Sequence, residues 1–144
     1  MSINTLELHR RIEQAIADAE RGTSAELRVH LEENCNEDPL DRASFIFEKL
    51  EMHQTAERNG VLIYVAFKDR KLAIIGDAGI HAHLHQETWT ATKDEMIRQF
   101  ALGNYEQGLC DAIAAIGNKL STYFPYREGD RNELSNTVTT HNIQ

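Results

Sequence analysis

Residues able to do chemistry concentrate in the middle of this chain. Gly76-Asp77-Ala78-Gly79 sets a carboxylate between glycines, which permit backbone angles closed to other residues, and such a loop can hold Asp77 at a sheet edge. Just beyond it, His81, His83 and His85 alternate along the chain. In an extended segment the three imidazoles would share one side and could bind zinc or copper. A true site there needs a further ligand, and an exposed histidine-rich loop is the plainer reading. More carboxylates, Glu32, Asp38 and Asp41, flank the polar loop Glu33-Asn34-Cys35-Asn36-Glu37. Each has a local task open to it: Asp38 can cap a helix that begins at Pro39, and Asp41 in its first turn suits the helix dipole.

Several kinds of chemistry lack their motif. There is no P-loop, C-x5-R, G-x-S-x-G, D-x-D-x-T or EF-hand loop in the chain. Cys35 and Cys110 are far apart and form no C-x-x-C, so neither a redox dithiol nor a zinc knuckle is indicated. Cys110 falls in an apolar helical pattern and reads as a small core residue, whereas Cys35, among polar neighbours, is expected at the surface. Fifteen Lys and Arg against twenty-three Asp and Glu give a formal net charge of -8, which repels nucleic acid and anionic lipid. No apolar run approaches the ~20 residues of a membrane-spanning helix. The first residues lack a secretory layout, so the expectation is a soluble, cytoplasmic monomer with no nucleic acid partner and no membrane span, open to an unknown protein partner.

The elements that must position these groups follow from periodicity. Val61 to Phe67 is an almost unbroken apolar, β-branched and aromatic run, as expected of a central strand covered on both faces. Lys68-Asp69-Arg70-Lys71 is too short for a helical crossover, so Leu72 to Ile75 should return antiparallel. Ala25 to Glu32 alternates apolar and polar residues, which suits a strand near a sheet edge, and the helix after Pro39 should make it parallel to the central strand. Other helices are expected from about Thr5 to Arg21, from Trp89 to a stop at Gly103, and from Asn104 to before Pro125. Residues 1–125 form one domain, an α-β-α sandwich: a mixed sheet of three to four strands with two helices on each face. Residues 126–144 are polar and read as a flexible tail. In such sheets ligands bind beyond the carboxyl ends of the parallel strands. That edge would gather residues 32–36, the start of the helix at Pro39 and the hairpin loops.

An Asn-Gly leading into an apolar strand, a Lys-Asp-Arg-Lys turn and a second strand ending in Gly76-Asp77-Ala78-Gly79-Ile80 resembles the core signature of the TPM-domain family. The likeness extends to residues 23–30, to Pro39-Leu40-Asp41-Arg42-Ala43, to Phe100 with Gly103-Asn104-Tyr105 and Gly108, and to Tyr123-Phe124-Pro125-Tyr126. The resemblance implies an α-β-α sandwich, acidic loop residues that bind a divalent cation, and for some members a phosphatase activity. Two departures stand out. Ala25 occupies a position where small soluble members often carry glycine, and the histidine run replaces a segment that in relatives ends in proline and an acid, leaving Glu87 as the corresponding acid. The signal peptide and membrane anchor of many relatives are missing.

On that resemblance, Asp41, Asp77 and Glu87 are the candidate metal ligands, with calcium the expected cofactor because a hard cation takes several carboxylate and carbonyl oxygens from flexible loops. Glu32, Asp38 and carbonyls around Asn34 could add to the set. The expected function is a cation-binding interaction module. The alternative is a metal-dependent acid phosphatase in which Arg42 or Arg70 holds the phosphate. Tyr64, Phe67, Trp89, Phe100 and Tyr105 fall at apolar positions and read as core.

Overall fold

The strand that is apolar on both sides is covered on both sides. In the computed structural model, which describes residues 6–127 and 134–141, β2 (Gly60–Ala66) is buried along its whole length. β1 (Glu26–Glu32) runs parallel to it, Glu26 facing Gly60 and Glu32 facing Ala66. β3 (Lys71–Gly76) returns antiparallel on the other side, Val61 facing Gly76 and Ala66 facing Lys71. A short β4 (Thr139–His141) lies parallel on the outer edge of β1, giving the order β3-β2-β1-β4.

Five helices complete the described fold: α1 (Leu6–Glu20), α2 (Pro39–Lys49), the single turn α3 (Ala78–His81), α4 (Thr90–Ala101) and α5 (Tyr105–Tyr123), with a 3-10 turn at Gln86–Trp89 before α4. The helix signals act as expected. Asp38 accepts from the Leu40 N–H at 2.8 Å to cap α2 ahead of Pro39, and Gly103, with φ at +82°, ends the turn after α4.

Helices lie on both faces, unequally. Leu27, Val29, Leu31, Val61, Ile63 and Val65 form a wide apolar floor under α1, α4 and α5. The opposite face offers Leu62, Tyr64, Ala66, Ala73 and the partly buried Ile75 to Ala43, Ile46 and Phe47 of α2. The side chains of β1 on that face are Glu26, Arg28, His30 and Glu32, a polar row against which a second helix would have nothing to bury. So the distribution is three long helices against one, not two and two.

β1 is also not at the edge. Its polar row is nonetheless buried: Glu26, His30 and Glu32 are all at most 5% exposed. Part of the presumed tail pairs beside the last three residues of that strand, His30 to Glu32. Val138 enters the main core, its N–H donating to Glu13 Oε2 at 3.1 Å, and β4 follows directly. Residues 128–133 and 142–144 of that stretch lie outside the described residues.

Candidate functional site

The end of the sheet where β1 and β2 finish is built around Glu32. Its side chain is 2% exposed, and its two oxygens receive four hydrogen bonds. Arg42, one turn into α2, donates through Nε at 2.9 Å and Nη2 at 3.0 Å; the Tyr64 hydroxyl donates to Oε2; and His30 Nε2 lies 3.2 Å from Oε1. Strand register makes this possible: His30 faces Tyr64 across the β1–β2 pair, and their rings stack with centroids 6.1 Å apart. His30 Nδ1 reaches Thr139 Oγ1 at 2.7 Å, tying β4 into the cluster.

Burial would push the Glu32 carboxyl up, but the donors Arg42, Tyr64 and His30 outweigh it and hold it below the ordinary carboxylate range. Burial and the carboxylate beside it push the Tyr64 phenol well up. Glu32 is therefore an anion at neutral pH whose lone pairs are already taken. It can fix α2 to the sheet, but it has no free oxygen for a metal or a substrate proton.

Around this hub the rim is acidic. Asp69 accepts from the Cys35 N–H at 2.7 Å and from the Asn34 amide at 3.3 Å, which lowers its pKa. Glu33 pairs with Lys68 at 3.3 Å, and Lys71 Nζ donates to the Cys35 and Glu37 carbonyls at 2.9 and 3.1 Å. Asp41 stands here, exposed in the first turn of α2, and its carboxylate makes no hydrogen bond or ion pair with a described residue. Cys35 is buried instead of exposed, because Asp69 takes its N–H and its thiol turns toward the Glu37 carbonyl at 3.2 Å. Cys110 is half-buried and, like Cys35, unpaired.

Asp77 sits at the other end of the sheet. β3 runs away from the end where α2 begins for six residues, a strand about 20 Å long at ~3.3 Å each, and Asp77 follows its last residue. Asp77 is buried, and Arg58 forks onto both its oxygens at 2.7 and 2.8 Å. Oδ1 also accepts from the Ala78 N–H, capping α3. The flanking glycines serve close approach here, not a positive φ: a Cβ on Gly79 would lie 2.2 Å from the Glu57 carbonyl oxygen, and one on Gly76 2.5 Å from Ile80. Glu87 is exposed in the 3-10 turn, on the face of α1, α4 and α5 and across the sheet from α2. The fold thus keeps Asp41 apart from Asp77 and from Glu87, and among the described residues no three His, Cys, Asp or Glu side chains are placed to hold one metal ion.

The histidine run is not extended. His81 ends α3, His83 follows in a turn and stacks on Tyr123 at 5.0 Å, and His85 precedes the 3-10 turn, so the alternation does not put the three rings on one side.

Sequence reasoning passed over the partnership of Tyr64 and Arg42 with Glu32. The available signal was a half-polar strand set beside a wholly apolar one that carries a single tyrosine. It also passed over Glu20, whose carboxylate accepts from the Leu27 N–H at 2.8 Å below the reach of β4; burial pushes its pKa up to about 7, against the lowering effect of that N–H.

The model of the TPM domain family matches residues 5–119. Among solved structures, the BA42 protein of the psychrophilic bacterium Bizionia argentinensis is 43% identical, with a TM-score of 0.87 over 95% of this chain and 94% of that one. The N-terminal domain of a protein from P. gingivalis shares the fold at 18% identity and a TM-score of 0.70, covering 88% of this chain and 83% of that one. The N-terminal domain of cg2496 from Corynebacterium glutamicum does so at 11% and 0.62, covering 97% and 82%. No curated protein sequence matches the chain.

Proposed function

From the premise that this chain belongs to the TPM domain family, we propose that it is a cytoplasmic, monomeric binding module that takes a divalent cation, calcium, at the acidic rim beyond the carboxyl ends of β1 and β2. Of the three candidate acids Asp41, Asp77 and Glu87, Asp41 is the ligand this reading favours. The observation that supports it is the contrast in commitment: Asp41 is exposed without a described partner at that rim, whereas both oxygens of Asp77 are held by Arg58 at the far end. Glu37, exposed on the adjoining loop, is the neighbouring carboxylate such an ion would recruit. Reduced cysteines suit the cytoplasm, and no described helix is long and apolar enough to cross a membrane.

The test is thermal unfolding of the full chain in calcium, magnesium, zinc and chelator. Calcium at about 100 times its Kd should stabilise the fold by ~2.7 kcal/mol. Asp41→Asn should abolish that gain, while Asp77→Asn and Glu87→Gln should retain it. Identical curves in all four conditions would remove the cation from the reading. The alternative, a metal-dependent phosphomonoesterase, rests on the activity the family resemblance implies. Turnover of a chromogenic phosphomonoester that vanishes with chelator and in Asp41→Asn would replace the module by the enzyme.

A further inference from the structure

At the Glu32 end of the sheet, but on the face away from α2, a cavity of about 360 Å³ opens between the β2–β3 hairpin and the junction of α4 with α5. Its size falls at the lower end of small-molecule pockets, which span ~300–1,000 Å³. Phe67, Phe100 and Tyr105 make one wall, with ring centroids 4.9 to 5.6 Å apart. Phe100 is fixed from behind, since even a Cβ on Gly108 would come within 2.8 Å of its ring. Val65 and Leu72 form the floor, and Ile97, 52% exposed, forms an apolar lip. These rings are core residues only in part: they also present a rigid apolar surface to solvent.

Two cationic residues line this space, and they differ. Lys71 has its ammonium on the Cys35 and Glu37 carbonyls. Arg70 is exposed, and its guanidinium makes no hydrogen bond or ion pair with any described residue. Its backbone is unusual as well: φ is +54°, the left-handed turn position that the four-residue hairpin loop demands and that glycine or asparagine fills with less strain. Arg58, at φ +51°, shows what such an arginine can do, since it forks onto a carboxylate, that of Asp77. Arg70 is posed similarly with no carboxylate of the chain to meet.

We propose that this cavity is a binding site for a small monocarboxylate with an apolar body, of the medium-chain fatty acid class, its carboxylate forked by Arg70 and its chain laid between Phe67, Phe100, Tyr105 and Ile97. The charge of the ligand follows from the one uncommitted cation among lining residues that, apart from the carbonyl-bound Lys71, are chiefly apolar and aromatic, on a chain whose net charge of -8 repels anions elsewhere. The site is independent of the cation proposed at Asp41.

The experiment is titration of the full chain with octanoate, octanol and octylamine, followed by amide chemical shifts and by calorimetry. Octanoate should bind saturably, with shifts centred on Phe67, Phe100, Gly103 and Tyr105, and at least about tenfold more tightly than octanol or octylamine. Arg70→Asn should weaken octanoate about tenfold or more yet keep or raise Tm, because asparagine tolerates the left-handed backbone. That combination separates lost recognition from lost folding. No saturable binding, equal affinity for the three ligands, shifts centred elsewhere, or undiminished octanoate binding in Arg70→Asn would each overturn the proposal.

Discussion

Arg42 closes a two-pronged fork on Glu32, so that α2 is anchored to the last residue of β1 by a buried ion pair rather than by apolar contact alone. The pair joins elements separated by a polar loop, and Tyr64 and His30 complete it from the neighbouring strand and from the same strand.

Removing the charge from this hub should be costly. Glu32→Gln leaves Arg42 without its anion and puts an amide where four donors converge, so a loss of about 3 kcal/mol is expected at pH 7 by denaturant unfolding. The pH dependence carries the sign. The folded pKa of Glu32 lies below its ordinary value of 4.5, so its contribution is present above that value and is lost as pH falls through the folded pKa. The gap between wild type and Glu32→Gln should therefore narrow below pH 4.5; a gap independent of pH would mean the anion contributes nothing.

Glu20 should behave in the opposite way. Its carboxyl is raised from 4.5 to about 7, so the folded state favours the protonated acid, and stability is lost as pH rises from the unfolded value through the folded one. Glu20→Gln keeps an acceptor for the Leu27 N–H and never ionises. It should match wild type near pH 4 and exceed it by ~2 kcal/mol at pH 8 to 9. A variant no more stable than wild type at pH 9 would show that the carboxylate is tolerated where it stands.

Asp77 performs two tasks that substitution can separate. Asp77→Asn keeps the cap on α3 but loses the charge that Arg58 grips, whereas Asp77→Ala loses both. The alanine variant should be less stable than the asparagine variant by about 1 kcal/mol. Equal melting temperatures would show that the single turn of α3 draws nothing from its cap.

Much of the fold is legible along the chain because periodicity reports burial. The unbroken run of β2, the Asp38-Pro39 start, the glycine stop after α4 and the hairpin turn each have a local cause, and each appears where expected. β1 misled because alternation records which side chains are polar, not whether they reach water. Glu26, His30 and Glu32 are all buried, and beside His30 and Glu32 lies β4, a three-residue strand brought from the far end of the chain; no local pattern in a polar stretch predicts such pairing. Cys35 misled similarly, since its burial depends on Asp69, thirty-four residues away.

The candidate acids divide along the same line. The sequence alone determined the family, the sandwich of helices about a mixed sheet, and the placing of Asp41 at a helix start and Asp77 at a strand end, because each depends on neighbours within a turn or two. Only the tertiary structure decided which charges meet: Glu32 with Arg42 and Tyr64, Asp77 with Arg58, and Asp41 and Arg70 with no described residue. The reason is direction. β1 delivers the chain to one end of the sheet and the antiparallel β3 carries it to the other, so carboxylates that look equivalent in a motif are delivered to opposite ends, while residues far apart in sequence are pressed into hydrogen-bonding distance.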